Sequence, residues 1–271
     1  MAEPKISILL PSRGRTETLE RSVQSLIDCA DSPENLQWLL GFDQDDTESQ
    51  KHFIDIVAPK ITKSGGLFSV MEFQPLGYAR LNQYLNALGK FARGNWWVFW
   101  NDDAVMLDSG WDTEILKAGD RFCIQAFDTH NSHPYSIFPI VPRAWYDILG
   151  HLSKHPLNDA YISQIAWMMD IMCRLPIRVL HDRYDLTGSN KDTTFQARNL
   201  KSLEGNPNNP ADFNHIAQRQ LRIDDCKKLA QYLKNCGIDT NWWDEVVSGR
   251  RDPWTKMLAM DVNDQMKRIP Q

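Results

Sequence analysis

The chain has 271 residues, of which 42% are hydrophobic and 24% charged, and its formal net charge is −5. This composition is typical of a soluble globular protein and excludes a disordered chain. No apolar run approaches the roughly 18 residues that span a bilayer, so we expect no membrane helix and no membrane partner. The polar N-terminus shows no secretory signal, and the five cysteines form no C-x-x-C pair. We therefore predict a cytoplasmic protein without disulfides or a zinc ribbon.

Short apolar runs and amphipathic segments alternate in the first part of the chain. Strands are predicted at residues 6–10, 36–42, 67–73 and 96–100, and helical segments from Thr16 as N-cap, near 47–58 and at 78–92. This alternation predicts an α/β fold with a mainly parallel central sheet flanked by helices. Such a sheet binds its ligand at the carboxyl ends of the strands.

The second half of the chain is less regular. Strand-like pieces lie within 121–141, a buried helix capped by Asn158 or Asp159 at 158–173, a strand at 177–180, a polar loop at 182–200, and helices at 212–235 and 254–268. The segment 205–210, which is rich in Asn and Pro, is the best candidate linker. We therefore predict a domain at 1–204 and a small helical C-terminal extension at 205–271.

Two acidic loops follow predicted strands. The run Asn101-Asp102-Asp103 follows the Trp-rich strand, and residues 43–46 follow the second strand. Buried carboxylates need a partner, and a hard divalent cation on a substrate diphosphate is one. A carboxylate of the second loop could accept hydrogen bonds from a base or ribose. His181, at the end of a late strand, is a candidate metal ligand. The alternative for residues 101–103 is a turn with helix-capping aspartates, the alternative for residues 43–46 is a solvated acidic turn, and the alternative for His181 is a structural histidine.

The loop at 11–15 has neither the glycine spacing of a dinucleotide-binding turn nor the Gly-Lys-Ser/Thr of a P-loop. Hydride transfer and P-loop ATP hydrolysis are therefore disfavoured, although Arg13 or Arg15 could meet a phosphate or be solvated. The net charge of residues 1–205 is −6, which argues against a protein that coats nucleic acid. The extension alternates basic and acidic side chains, which favours a solvated helical surface over phosphate contact: Arg219, Arg222, Lys227, Lys228, Arg250 and Arg251 against Asp224, Asp225, Asp244, Glu245 and Asp252.

Taken together and in order, these segments resemble family-2-like glycosyltransferases of the GT-A (Rossmann-like) fold, and in particular compact phage-type members. The resemblance covers about residues 5–200. It is carried by ISILLPSRGR, GFDQDD, GYARLNQYLNALGKFARGNWWVFWNDDA, FPIVPRAWYDILG, LNDAYI and VLHDRYDLTGSNKDTT. The residues after 205 have no counterpart in the family.

The resemblance implies a role for each matching residue. Pro11 and Arg13 would line the nucleotide site, and Asp43 with Asp45 would meet the base. Arg80 would meet the donor phosphates or sugar, and Asn101 and Asp102 would lie near the ribose or sugar. Asp103 and His181 would bind Mn²⁺ or Mg²⁺, and Asp159 would be the catalytic base. The implied donor is a nucleoside-diphosphate sugar, UDP-linked by family habit, and the transfer is inverting. Two positions depart from the family pattern: Asn101 stands where the metal motif begins with Asp, and Asn158 precedes Asp159 in place of a second acidic residue.

The acceptor hydroxyl is less well defined. The phage-type resemblance suggests a hydroxymethylated pyrimidine in DNA, and otherwise a glycan or small molecule. Residues 130–142 with Tyr135, Phe138 and Trp145 form a candidate acceptor wall, although core packing is favoured for Phe138. A nucleotidyltransferase and a non-catalytic nucleotide- or nucleic-acid-binding module are the alternative functions. The sequence does not indicate the oligomeric state.

Overall fold

The computed structural model describes residues 3–119, 122–128, 137–182, 206, 208–248 and 250. Within them lies one mixed sheet with the strand order β3-β2-β1-β4-β7-β6-β8-β5. Its strands are β1 (Ile6–Ser12), β2 (Leu36–Asp43), β3 (Leu67–Phe73), β4 (Trp96–Phe99), β5 (Ala104–Met106), β6 (Cys123–Asp128), β7 (Pro139–Pro142) and β8 (Met172–His181). The helices are α1 (Thr16–Cys29), α2 (Thr47–His52), α3 (Ala58–Lys63), α4 (Leu81–Gly89), α5 (Trp111–Lys117), α6 (Arg143–Leu149), α7 (Asn158–Met168), α8 (Ile216–Asn235) and α9 (Asn241–Val247).

The first four strands form the parallel part of the sheet. Strand β1 lies between β2 and β4 and is parallel to both, and β3 adds to the other side of β2. Strand β2 is buried along its whole length, as a strand covered by helices on both faces must be. The carboxyl ends of β1, β2 and β4 therefore meet at one edge, with Ser12 beside Phe42 and the Trp100 amide donating to Leu9 O at 3.1 Å.

The remaining strands turn the same edge into a site. Strands β7 and β4 are antiparallel, β6 is antiparallel to β7 and parallel to β8, and β5 is antiparallel to β8. The last pairing sets Ala104 opposite His181, and the Asp182 amide donates to Asp103 O at 2.9 Å. His181 is thereby placed beside the end of β4, although about 80 residues separate them along the chain.

Two hydrophobic cores lie on opposite faces of the sheet, and β4 contributes to both. Trp96 and Trp100 pack in the first core, while Trp97 packs in the second. This division follows from the two-residue period of a strand. Trp243 of α9 is also buried in the second core, where α8 packs against α6 and α7. The extension thus shares a core with the preceding helices, and the division at residue 204 stays a prediction.

Several predicted boundaries differ from those in the structure. Thr16 is the first helical residue and Arg15 is the N-cap. The predicted caps of α7 are also wrong: Leu157 holds that position, because Asn158 Nδ2 donates to Pro156 O and Asp159 Oδ1 accepts from the adjacent Ala160 amide. The predicted helix near 47–58 extends through a π turn to residue 63.

Part of the prediction falls on residues outside the described ranges. These residues include most of the polar loop at 182–200, Tyr135 of the acceptor wall and the helix at 254–268. Among the described helices, the longest apolar stretch is too short or too polar to cross a bilayer.

A buried histidine joins the loop before α7 to the chain before α8. His155 Nδ1 accepts from the Leu157 amide at 3.1 Å, and Nε2 lies 3.1 Å from Ala211 O. Both contacts are made when the ring is neutral and its proton is on Nε2. Burial lowers the pKa of His155 below its ordinary 6.5, with the Ala211 carbonyl opposing the shift.

We expect this histidine to make the fold sensitive to mild acid. As the pH falls below about 6.5, His155 of the unfolded chain binds a proton, whereas the buried ring of the folded protein stays neutral. The free energy of unfolding therefore decreases as the pH decreases, until the pH is below the lowered pKa of the folded protein. Urea unfolding between pH 7.5 and 5 measures this slope. The variant His155→Gln, which does not titrate, is expected to show a smaller slope. Equal slopes in the two proteins would contradict the assignment.

Candidate active site

The candidate site lies at the edge where β1, β2, β4 and β8 end. Residues 12–15, at the end of β1 and directly after it, lie between the two predicted acidic loops and contact both. Asp46 caps α2 and accepts from the Gly14 amide at 2.7 Å. Gly14 adopts a φ of +66°, a conformation that glycine reaches without strain. Residues 12–15 therefore bridge the two acidic loops, in which Asp45 stays exposed.

Asp102 is buried and held by the protein through both oxygens. Oδ2 accepts from Ser12 Oγ at 2.7 Å, and Oδ1 accepts from Arg15 Nη1. The same Arg15 nitrogen lies 3.2 Å from Asp103 Oδ2, so one guanidinium serves both adjacent carboxylates. Burial raises the pKa of Asp102 against the opposing charge of Arg15. Ser12 and Arg15 thus fix the position of the Asp102 carboxyl group at the site.

Asp103 and His181, unlike Asp102, each have a buried side-chain atom without a hydrogen-bond partner among the described residues. Asp103 Oδ1 is buried and has no hydrogen-bond partner among the described residues. It lies 3.3 Å from His181 Nε2. Burial opposes ionisation of Asp103, but His181 and Arg15 outweigh it and lower its pKa. The result is an anionic oxygen and an imidazole nitrogen facing each other at the sheet edge.

The residues around His181 fix its ring. Phe138 packs edge-on against the imidazole with ring centroids 5.2 Å apart, and it also contacts Trp100. Asn101 Nδ2 lies 3.5 Å from His181 Nε2. Next along the chain, Asp182 is buried and pairs with Arg21 of α1. The packing of Phe138 in the core is confirmed, and Trp145 is also fully buried, so these two aromatic residues do not form an acceptor wall.

The pair Asp103 and His181 fits a divalent metal. The described residues contain no group of three or more His, Cys, Asp or Glu side chains arranged to hold a metal, so the protein here offers two ligands. Magnesium is commonly bound by one or two carboxylates together with the phosphates of a substrate, manganese also suits carboxylate ligands, and neutral imidazole is a common metal ligand. The orphaned Asp103 oxygen is the observation that favours a metal at this position.

The second acidic loop forms a separate part of the site. Asp43 is buried at the end of β2, where Oδ2 accepts from Arg13 Nη1 at 2.7 Å and Oδ1 accepts from Tyr84 Oη. Asp45 is exposed and accepts from Arg13 Nη2 at 2.8 Å. Burial, followed by the Asp43 hydrogen bond, raises the pKa of Tyr84 to about 12. Tyr84 therefore stays a donor at neutral pH and holds Asp43 in place.

The other predicted site residues lie at the ends of neighbouring elements. Pro11 is half-buried in β1 and pairs in register with Gly41 of β2. Arg80 is exposed at the N-terminus of α4, one helical turn before Tyr84. Asp159 is half-buried in the first turn of α7, where Oδ1 accepts from the Ala160 amide at 2.8 Å. The roles of these residues stay predictions.

Three contributors were missed or left open by the sequence. Ser12 and Tyr84 were not singled out, and Arg15 was left as a phosphate contact or a solvated side chain. Each of these residues is separated by 41 to 90 positions in the sequence from the aspartate to which it donates a hydrogen bond. The one local signal is that Arg15 follows Ser12 in the loop after a buried strand.

No protein-family model matches this chain, and no curated protein matches it. Solved structures do resemble it. The mannosyltransferase PcManGT from Pyrobaculum calidifontis, in complex with GDP-Man and Mn²⁺, superposes with a TM-score of 0.57 and 10% identity, over 98% of this chain and 84% of that one. S. aureus TarS (residues 1–349) gives a TM-score of 0.44 at 15% identity, over 66% of this chain and 58% of that one. GalNAc-T7 with UDP, GalNAc and Mn²⁺ gives a TM-score of 0.49 at 15% identity, over 66% of this chain and 44% of that one.

The similarity to the mannosyltransferase covers nearly the whole chain and establishes the fold. The predicted α/β class, with a mainly parallel central sheet flanked by helices, is confirmed.

Proposed function

We propose that this chain is a metal-dependent glycosyltransferase that moves a sugar from a nucleoside diphosphate to an acceptor hydroxyl. The observation that carries the proposal is the pair of Asp103 Oδ1 and His181 Nε2, 3.3 Å apart and beside the Asp43 loop. A metal at this pair and a nucleotide at Asp43 would together bind a nucleoside diphosphate. The fold supports the proposal, since the mannosyltransferase that shares it was solved with GDP-Man and Mn²⁺.

The donor is held by residues of the first four strands in this proposal. Asp43, oriented by Tyr84, accepts hydrogen bonds from the base or ribose, and Arg13 lies at the exposed side of the same carboxylate. Asp103 and His181 would hold the metal, which when bound would offset the negative charge that builds on the leaving diphosphate. Arg15 and Ser12 keep Asp102 fixed beside it. Arg80 is proposed to meet the donor phosphates or sugar.

The acceptor side is assigned to α7. Asp159 removes the proton from the acceptor hydroxyl while the oxygen attacks the anomeric carbon from the face opposite the diphosphate, so the configuration inverts. UDP is the nucleotide that the family resemblance suggests. A hydroxymethylated pyrimidine in DNA is the first acceptor to test, followed by glycans and small molecules.

A thermal-shift panel of nucleotide sugars, with and without MnCl₂, tests the donor half of the proposal. A donor at a hundred times its Kd stabilises the native state by about 2.7 kcal/mol. For a chain of this size that raises Tm by about 5–11 °C. We expect such a shift for one nucleotide, with manganese present. A panel without any manganese-dependent shift would contradict the proposal. Release of pyrophosphate in place of a nucleoside diphosphate would instead indicate a nucleotidyltransferase.

A further inference from the structure

The C-terminal extension contributes a fully buried carboxylate, Asp225 of α8. Its Oδ2 accepts from Tyr161 Oη at 2.5 Å, and its Oδ1 accepts from Lys154 Nζ at 2.7 Å. His151 Nε2 lies 3.3 Å from Oδ2. All three partners belong to α7 or to the loop before it. Asp225 therefore makes its polar contacts with the start of α7.

The same loop is held at two further points. His155 contacts Ala211 O at 3.1 Å and packs edge-on against Phe213 with ring centroids 5.1 Å apart. From the opposite side, Asn86 of α4 accepts from the Leu152 amide at 2.7 Å and donates to Ser153 O at 2.8 Å. The chain that leads into α7 thus lies between α4 and the extension.

The polar contact does something that apolar packing of α7 does not. Every residue from Ala160 to Met168 is buried, and most of them are apolar, with Ser163 and Gln164 as buried polar residues beside Tyr161. The hydrophobic effect itself is non-directional. A hydrogen bond from Tyr161 to a buried carboxylate is directional, and breaking it leaves a buried charge short of a partner. The Asp225 contact therefore helps to fix the rotation of α7 about its axis at its first turn.

Asp159 lies two residues before Tyr161 in the same first turn. We propose that Asp225 is a positioning residue of the extension, which acts through Tyr161 to aim Asp159 at the acceptor. This inference rests on the proposed function, in which Asp159 is the base. It makes the extension part of the machinery for transfer, while the donor contacts stay on β1, β2, β4 and β8.

Two variants test the proposal, Tyr161→Phe and Asp225→Asn, with the half-exposed neighbour Asp224→Asn as the matched control on the same helix. Tyr161→Phe removes the hydroxyl and keeps the ring, so it guards against failure of Asp225→Asn to fold. Donor-binding sites are counted by calorimetry, and kcat for transfer is expressed per binding site. We expect both variants to lower this kcat at least tenfold with donor Kd within twofold of wild type, and the control to match wild type.

A merely structural role would lower the number of donor-binding sites and leave kcat per site unchanged, and that result would overturn the proposal. Hydrogen exchange of the intact chain gives a second readout that needs no activity. The amides of 158–162 are expected to exchange at least tenfold faster in Tyr161→Phe, with α4 unchanged. Unchanged exchange at 158–162 would also overturn the proposal. If wild type binds a donor but transfers no sugar, the proposed function fails, and hydrogen exchange still decides whether Asp225 positions α7.

Discussion

Replacing Asp159 with Asn is expected to lower the rate of sugar transfer by about a hundred- to ten-thousand-fold, the contribution of a general base. Asn has the same shape, and its side-chain oxygen can still accept from the Ala160 amide, as Asp159 Oδ1 does. It cannot take a proton from the acceptor hydroxyl at neutral pH. The loss should therefore be in kcat, with donor affinity unchanged.

The measurement is a transfer assay with the donor found by thermal shift, alongside the donor Kd of the variant. Asp147→Asn on α6 is a suitable control, since Asp147 is an exposed carboxylate paired with Arg143 at the surface. Near-normal turnover of Asp159→Asn would remove Asp159 from the role of base. Loss of donor binding in the variant would show that Asp159 supports the donor site instead.

The strands could be predicted from sequence because their signal is local. The apolar run at 67–73 matches β3, and the run at 36–42 matches β2 to within one residue. Strand β2 is covered on both faces and therefore reads as a continuous apolar segment, whereas β3 lies at the sheet edge and is largely exposed. The position of the acidic loops followed from the same signal, because side chains directly after parallel strands gather at one sheet edge.

Hydrophobic periodicity could not predict the contacts within the site, since they depend on pairings between distant segments, and the proximity of Asp103 to His181 was expected only from the family resemblance. Arg15 and Asp102 are 87 positions apart in the chain. The apolar pattern of the strands is equally compatible with an Arg15 side chain that is solvated or that contacts a phosphate. His181 reaches Asp103 because β8 pairs with β5. Strand β5 has only three residues, and the sequence analysis did not identify it. Side-chain geometry of this kind is set by tertiary packing, and periodicity carries no signal for it.

The extension shows where a charge pattern predicted the wrong environment. Alternating charges along 212–235 predicted a solvated surface, but Arg222 and Asp225 are fully buried. Arg222 stacks on Phe213 at 3.9 Å and donates to Phe213 O at 2.8 Å, and Asp225 pairs with Lys154. Buried charges are tolerated where partners lie in reach. Those partners lie elsewhere in the chain, so the pattern of α8 alone could not reveal them.

Replacing Asp103 with Asn is expected to abolish the manganese-dependent part of donor binding and to lower transfer by about a thousandfold or more. A metal that stabilises the leaving diphosphate contributes several kcal/mol, and each 1.36 kcal/mol is a factor of ten in rate. Asn keeps the size of the side chain and loses the charge. Asp102 keeps its contacts with Ser12 and Arg15 in this variant, so the fold around the site should persist.

The donor-induced shift in Tm, measured with and without MnCl₂, separates metal binding from folding. Asp55→Asn, at an exposed pair with Lys51 on the helical segment after β2, is the control and should keep the full shift. Excess EDTA should reduce wild type to the level of Asp103→Asn, because both treatments remove the same cation from the site. Transfer that continues unchanged in EDTA would rule out a metal at Asp103 and His181. Their approach to 3.3 Å would then be a contact between two protein side chains without a metal.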